Sequence, residues 1–249
     1  MRRCAAEEVP EVMGIRIREK HWAGPGGGAE LLSIALPLVV SHACETVMMF
    51  TDRLFLARLS PAHMSASMSG GLTCFMFMTF FIGLTGYANA LVAQRLGAGQ
   101  GRSAPRVITQ ALFVSLLSYP LVLACIPVGH GLFRIADLAP EQLQHQRVYF
   151  DILMIGSIFG LLRNSVVCFF SGIGRTRVIM IAALTSMLVN VVANYLLIFG
   201  HGGFPAMGMS GAAYGTLIGG AVGLLVVGAA YFSRDNRAEF DVMGALRWD

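Results

Sequence analysis

Residues 178–233 read VIMIAALTSMLVNVVANYLLIFGHGGFPAMGMSGAAYGTLIGGAVGLLVVGAAYFS and contain no Asp, Glu, Lys or Arg. As one α-helix this stretch would extend about 84 Å, whereas a bilayer core is about 30 Å thick and is crossed by about 20 residues. Glycines and a proline interrupt it at 200–209, and these residues are typical of a loop. The stretch therefore predicts two membrane-spanning helices, near 178–199 and 210–232.

The rest of the chain repeats this pattern of long apolar stretches separated by sparse charges. Four further spans are predicted, near 31–56, 68–92, 107–128 and 152–173. The sequence thus predicts an all-α polytopic membrane protein with a six-helix transmembrane region over 31–232. We expect a charged N-terminal segment over 1–30 and a tail or linker over 233–249, both cytoplasmic.

The composition excludes several classes of protein. Of 249 residues, 55% are hydrophobic and 13% are charged, and the formal net charge is +4, whereas soluble domains carry about 25% charged residues. A water-soluble globule, a disordered chain and a nucleic-acid-binding protein are inconsistent with these values. The five cysteines form no CxxC pair, so we expect packing residues, without a disulfide framework or a metal site.

The positive charges indicate the orientation of the chain in the membrane. Thirteen Lys and Arg residues fall in the two termini and in the loops after the second and fourth spans, but three fall on the other side. Cytoplasmic loops carry the excess of positive charge. We therefore expect a multi-pass protein of the cell membrane with both termini in the cytoplasm.

The first span carries ionisable residues on one helical face. His42, Glu45, Met49 and Asp52 recur at steps of three and four residues. Carboxylates inside a membrane are costly when charged and unpaired, so this stripe suggests a site for a proton or a small cation such as Na⁺. The alternative is that Asp52, near the outer end, is a hydrated interfacial group.

The fifth span adds amides at the depth of Asp52. Asn190 and Asn194 share a face, and Asn194 lies roughly 7 Å below the outer end of its span, against roughly 6 Å for Asp52. If the two helices are neighbours, these groups form an oxygen-rich pocket. The alternative is that the amides only provide hydrogen bonds between helices.

A second pair is predicted deeper in the membrane. Glu45 and Arg163 each lie about 16 Å below the outer end of their spans. Because an unpaired charge at that depth is costly, we expect the two to form an ion pair near the midplane. The alternative is that Arg163 faces a watery cavity alone.

The sequence contains no catalytic motif. HExxH, GxSxG and glycine-rich phosphate-binding loops are missing from it, and the histidines are scattered. We therefore expect neither an enzyme nor a bound cofactor.

Short motifs in a fixed order make the chain resemble the MATE family of multidrug and toxic compound extrusion transporters. They are LP at 36–37 with FTD at 50–52, LVAQRLGAG at 91–99, GIGRT at 172–176, and Asn190 and Asn194 followed by the glycine-rich 200–211 segment and Thr216. The resemblance covers about residues 30–232.

This resemblance implies export of small cationic, amphipathic compounds, driven by inward movement of H⁺ or Na⁺. By the matching positions, Asp52, Asn190 and Asn194 belong to the ion-coupling region. MATE transporters contain two six-helix lobes, so the chain corresponds to the N-terminal lobe, and we expect a fragment or a chain that pairs with a second lobe on another polypeptide.

Three residues depart from the family pattern. Arg53 follows Asp52 where a small polar residue is common, Glu45 replaces a frequent Gln, and Arg163 stands in a usually uncharged position. The last two changes together fit the predicted ion pair. Two alternatives to drug export are a lipid-linked precursor flippase of the same superfamily and a membrane assembly subunit that does not transport.

Overall fold

The computed structural model describes residues 27–136 and 139–246, and within these ranges every regular element is a helix. The α-helices in chain order are α1 (Gly28–Ala57), α2 (Pro61–Gly86), α3 (Ala88–Gly97), α4 (Ala104–Ala124), α5 (Ile126–Ile135), α6 (Pro140–Gly172), α7 (Thr176–Phe199), α8 (Gly208–Tyr231) and α9 (Arg234–Phe240). Single 3₁₀ turns occupy Gly101–Ser103 and Gly244–Leu246.

Six helical segments in the described part of the chain are long and apolar enough to cross a membrane. Four are the single helices α1, α6, α7 and α8. The other two are compound, because α3 continues α2 over Pro61–Gly97, and α4 with α5 spans Gly101–Ile135. The prediction of an all-α, six-helix membrane protein is therefore confirmed.

Two helices begin well before the predicted spans. α2 begins at Pro61 instead of near 68, because the Ser60 side chain caps it by accepting the His63 N–H at 3.3 Å. α6 begins at Pro140 instead of near 152, so Arg147, which precedes the predicted span, lies inside this helix. Caps and backbone hydrogen bonds decide where a helix begins, and apolar length predicts only the part that lies in hydrocarbon.

The spanning segments run up and down, and α1 and α7 run parallel to each other. The Thr176 hydroxyl at the start of α7 donates to the Ile34 carbonyl of α1 at 3.0 Å, and Asn194 near the end of α7 contacts Asp52 near the end of α1. We call the end of the bundle with the 173–175 loop the Arg175 end, and the opposite end, with the 200–207 loop, the Gly203 end.

Glycines on α8 let this helix approach α7 closely. Gly211, Gly215, Gly219 and Gly223 recur every four residues and are buried or nearly so. A Cβ at Gly211 would lie 2.7 Å from the Leu197 backbone, which is too close for any side chain. Small residues at this spacing allow close backbone contact between membrane helices.

The C-terminal segment packs against the Arg175 end of the bundle. Phe240 and Val242 are buried in the same core cluster as Phe169 and Tyr231. The described part of the predicted tail, residues 233–246, therefore packs against the bundle. Of the predicted N-terminal segment, residues 1–26 lie outside the described residues.

Candidate functional site

Asp52 is a buried carboxylate near the Gly203 end of α1. Its helix buries Ser41, Cys44, Asp52 and Leu56 on one face, and this face packs against α7. On the stripe predicted from the sequence, Asp52 is therefore turned into the bundle, whereas His42 and Met49 are exposed. The structure does not place Asp52 as a hydrated interfacial group.

Two side chains from other helices hydrogen-bond to the Asp52 carboxylate. Asn194 of α7 donates its Nδ2 to Oδ1 of Asp52. The Thr216 hydroxyl of α8 lies 3.3 Å from Oδ2, and it also lies 3.0 Å from its own helix's Ala212 carbonyl. Three helices thus converge on one carboxylate.

Asn190 completes this group, one turn from Asn194. The Nδ2 of Asn194 donates to the Oδ1 of Asn190 at 3.2 Å, and both amides are fully buried. One turn further, Ser186 donates instead to the Gly219 carbonyl of α8, at 2.7 Å. We call the cluster of Asp52, Asn190, Asn194 and Thr216 the Asp52 site.

Glycines of α8 make room for the Asp52 site. A Cβ at Gly215 would overlap Oδ1 of Asn194, and a Cβ at Gly219 would lie 2.8 Å from Cβ of Asn190. The glycines that allow α8 to approach α7 closely therefore also leave the space that the side-chain amides of Asn190 and Asn194 occupy.

The Asp52 site contains two buried polar atoms without a hydrogen-bond partner among the described residues, Oδ1 of Asn194 and Nδ2 of Asn190. Buried polar atoms are nearly always paired, and each exception requires an explanation. An oxygen without a donor, next to a carboxylate, fits the oxygen ligands that hard cations prefer.

Glu45 and Arg163 lie together in the structure, outside the Asp52 site. Nη2 of Arg163 donates to Oε1 of Glu45 at 3.0 Å. The two residues come from α1 and α6, as the depth argument required, although α6 begins earlier than that argument assumed. Nδ1 of His42 lies 3.4 Å from Oε2 of Glu45.

Reasoning from sequence gave no role to two further polar contacts. Thr216 was noted only within the family motif, and its hydroxyl reaches Asp52 because α8 lies against α1 and α7. His130 of α5 and Asp151 of α6 form a pair at 2.6 Å between Nε2 and Oδ1. No spacing in the chain relates these two residues, since α5 and α6 are separate helices.

Comparison with known proteins identifies the fold that carries this site. The family described as MatE matches residues 37–196. The chain belongs to the MATE family of multidrug efflux transporters. The match begins within α1 and ends within α7, and it includes Asp52, Asn190 and Asn194.

Relatives of the MATE family match most of this chain but less than half of their own length. The multidrug resistance protein PmpM of Pseudomonas aeruginosa is 30% identical over 209 residues, which cover 84% of this chain and 42% of PmpM. The probable multidrug resistance protein NorM of Bacillus subtilis is 31% identical over 191 residues, covering 74% of this chain and 41% of NorM.

A solved MATE structure has the same fold. A multidrug resistance MATE family transporter of the MOP superfamily, in an outward-facing conformation, superposes with a TM-score of 0.75 at 21% identity. The likeness covers 83% of this chain and 45% of that transporter. The chain therefore corresponds in fold to one lobe of a MATE protein.

Proposed function

We propose that this chain is one lobe of a secondary transporter that exports drug-like cations in exchange for H⁺ or Na⁺ bound at the Asp52 site. A second six-helix lobe, on the same or another polypeptide, forms the other half of the cleft in this proposal. The protein lies in the cell membrane, and the arginine-rich Arg175 end faces the cytoplasm. Membership of the family and the six apolar helices support this assignment.

The observation that carries the proposal is a buried carboxylate without an ion-pair partner among the described residues. Among the described residues, no nitrogen of Lys, Arg or His lies in an ion pair with Asp52, and this includes its neighbour Arg53. A buried, unpaired charge is unfavourable by several kcal/mol. Binding a proton or a cation removes this penalty, and the Asn194 oxygen provides a further ligand.

Thermal unfolding of the purified chain in dodecyl maltoside tests this ion site. A ligand that binds only the folded state stabilises it by about 2.7 kcal/mol at a hundred times its Kd. We expect the unfolding midpoint to rise with NaCl relative to choline chloride, or with falling pH, and Asp52→Asn to abolish this rise.

Asp151→Asn is the matched control, because it neutralises a different carboxylate within a spanning segment. It should retain the ion-dependent rise in the midpoint. An equal rise in wild type and Asp52→Asn would exclude Asp52 as the ion-binding group, and unchanged export by Asp52→Asn in cells that contain a second lobe would favour the assembly subunit instead.

A further inference from the structure

A second set of charged groups lies at Glu45 of α1, about two turns before Asp52 on the same stripe of the helix. The Glu45 carboxylate lies between Nη2 of Arg163 at 3.0 Å and Nδ1 of His42 at 3.4 Å. The side chains are 45%, 20% and 80% exposed for Glu45, Arg163 and His42. This cluster is thus accessible, whereas the Asp52 site is closed.

The exposure of these groups indicates a wet cavity. Glu45 lies in the middle of α1, which is one of the six candidate spans. A charge exposed to hydrocarbon is strongly unfavourable, so ionisable groups in spans face the interior of a bundle or a water-filled cavity. Met49, one turn from Glu45 and 50% exposed, adds an apolar surface beside them.

The ion pair is held through a single hydrogen bond. Arg163 donates one hydrogen bond among the described residues, that to Glu45, although a guanidinium has five N–H donors and binds carboxylates best in a bidentate manner. The aliphatic part of the Arg163 side chain packs near α8, because a Cβ added at Gly223 would lie 3.4 Å from its Cδ. The packing of its aliphatic part therefore positions the guanidinium, which retains N–H donors without a hydrogen-bond partner among the described residues.

The charges of this cluster favour one kind of ligand. A lone cation gains little at Glu45, because Arg163 already neutralises this carboxylate. A lone anion that competes for Arg163 leaves Glu45 without its partner, and an unpaired charge within a membrane span is costly. A ligand with both charges satisfies both residues at once.

We propose that the Glu45–Arg163 pair binds zwitterionic amphiphiles, whose carboxylate accepts hydrogen bonds from Arg163 and whose ammonium group binds Glu45. The apolar part of the ligand packs beside Met49. This inference rests on the proposed function and narrows its substrates to those cations that also carry a carboxylate.

Three dansyl compounds with the same fluorophore and carbon chain test the proposal. Nε-dansyl-lysine is a zwitterion, dansylcadaverine is the cation without the carboxylate, and 6-(dansylamino)hexanoate is the anion without the amine. Their binding to the purified chain in the nonionic detergent dodecyl maltoside is measured by dansyl fluorescence. We expect a Kd for the zwitterion at least about tenfold below those of the other two, since it gains a charge-assisted hydrogen bond that each of them lacks.

Variants separate recognition from folding. The double variant Glu45→Gln with Arg163→Gln should raise the Kd of the zwitterion about tenfold, to that of the cation, and should leave the Kd of the cation unchanged. The single variant Glu45→Gln keeps Arg163 and should lose the preference over the anion while it retains the preference over the cation. His130→Gln with Asp151→Asn removes a comparable pair elsewhere and should retain the preference.

Equal affinities for the three probes, undetectable binding of the zwitterion, or a preference that survives in the double variant would each overturn the proposal. The ion-dependent unfolding midpoint, measured on the same samples, reports separately on the proposed function. A zwitterion preference without any ion effect supports the pair and contradicts ion coupling, and an ion effect without the preference does the reverse.

Discussion

Asp52 and Asn194 are 142 positions apart in the chain, and the amide of Asn194 donates to the carboxylate of Asp52. Ile34 and Thr176, which meet at the other end of the same two helices, are also separated by 142 positions. α1 and α7 therefore run parallel and in register along their length. The contact at the Asp52 site is a consequence of how two whole helices pack.

Gly215→Ala should disrupt the Asp52 site. A Cβ there overlaps Oδ1 of Asn194, and overpacking costs about 1–3 kcal/mol. We expect a lower unfolding midpoint and loss of the ion-dependent rise. Gly220→Ala is the control, because no described heavy atom lies within 4 Å of its Cβ, and it should stabilise α8 by up to about 1 kcal/mol. Identical behaviour of the two variants would contradict this account of the glycine stripe.

Thr216→Val should weaken ion binding without unfolding the protein. The change retains the shape of the side chain and removes the hydroxyl that lies 3.3 Å from Asp52. A hydrogen bond contributes about 1 kcal/mol, or roughly fivefold in affinity, which titration of the unfolding midpoint with ions measures. Thr185→Val is the control, since that hydroxyl bonds to the carbonyl of Ile181 on its own helix. An unchanged ion affinity in Thr216→Val would remove Thr216 from the site.

Arg163→Leu should destabilise the chain because Glu45 loses its partner. We expect a loss of about 1–2 kcal/mol, below the about 3–5 kcal/mol for fully buried pairs, because Glu45 is 45% exposed. Adding Glu45→Gln should recover part of the loss, with a coupling of about 0.5–3 kcal/mol in a double-mutant cycle. Strictly additive effects would mean that the pair contributes nothing to stability.

Arg175→Gln should loosen α9 from the bundle. Arg175 donates to Asn236 at 2.7 Å and to Glu239 at 2.5 Å, and its guanidinium carbon lies 5.5 Å from the centre of the Phe240 ring. Exposed contacts of these kinds contribute about 1 kcal/mol, so amide hydrogen exchange in 236–241 should accelerate roughly fivefold. Arg177→Gln, at the same end, should leave this exchange unchanged, and equal acceleration would point to a general charge effect.

The proposed orientation predicts where an added cysteine reacts. Gln100→Cys lies at the Arg175 end and Ala206→Cys at the Gly203 end, and both positions are exposed. In intact cells, a membrane-impermeant maleimide should label Ala206→Cys above the wild-type background and should label Gln100→Cys only after permeabilisation. The reverse pattern would place the arginine-rich end outside.

The sequence predicted the six spans because the length of a run without charges can be read locally and compared with the thickness of a bilayer. The step of three and four residues likewise placed Glu45 and Asp52 on one stripe, and depth counting matched Asp52 with Asn194 and Glu45 with Arg163. Helix starts were predicted less well, since Ser60 caps α2 and Pro140 stands in the first turn of α6, and both residues lie outside the apolar runs.

By itself, the sequence determined that this is a six-helix membrane lobe of the MATE kind with polar residues at two depths. Only the tertiary structure decided that Asp52 is buried and Glu45 is partly exposed. It also decided that the Thr216 hydroxyl reaches Asp52 and that His130 pairs with Asp151. The physical reason is that burial at each depth of one helix face depends on packing against helices distant in the chain. Here the glycines of α8 set that packing by the space they leave for α7.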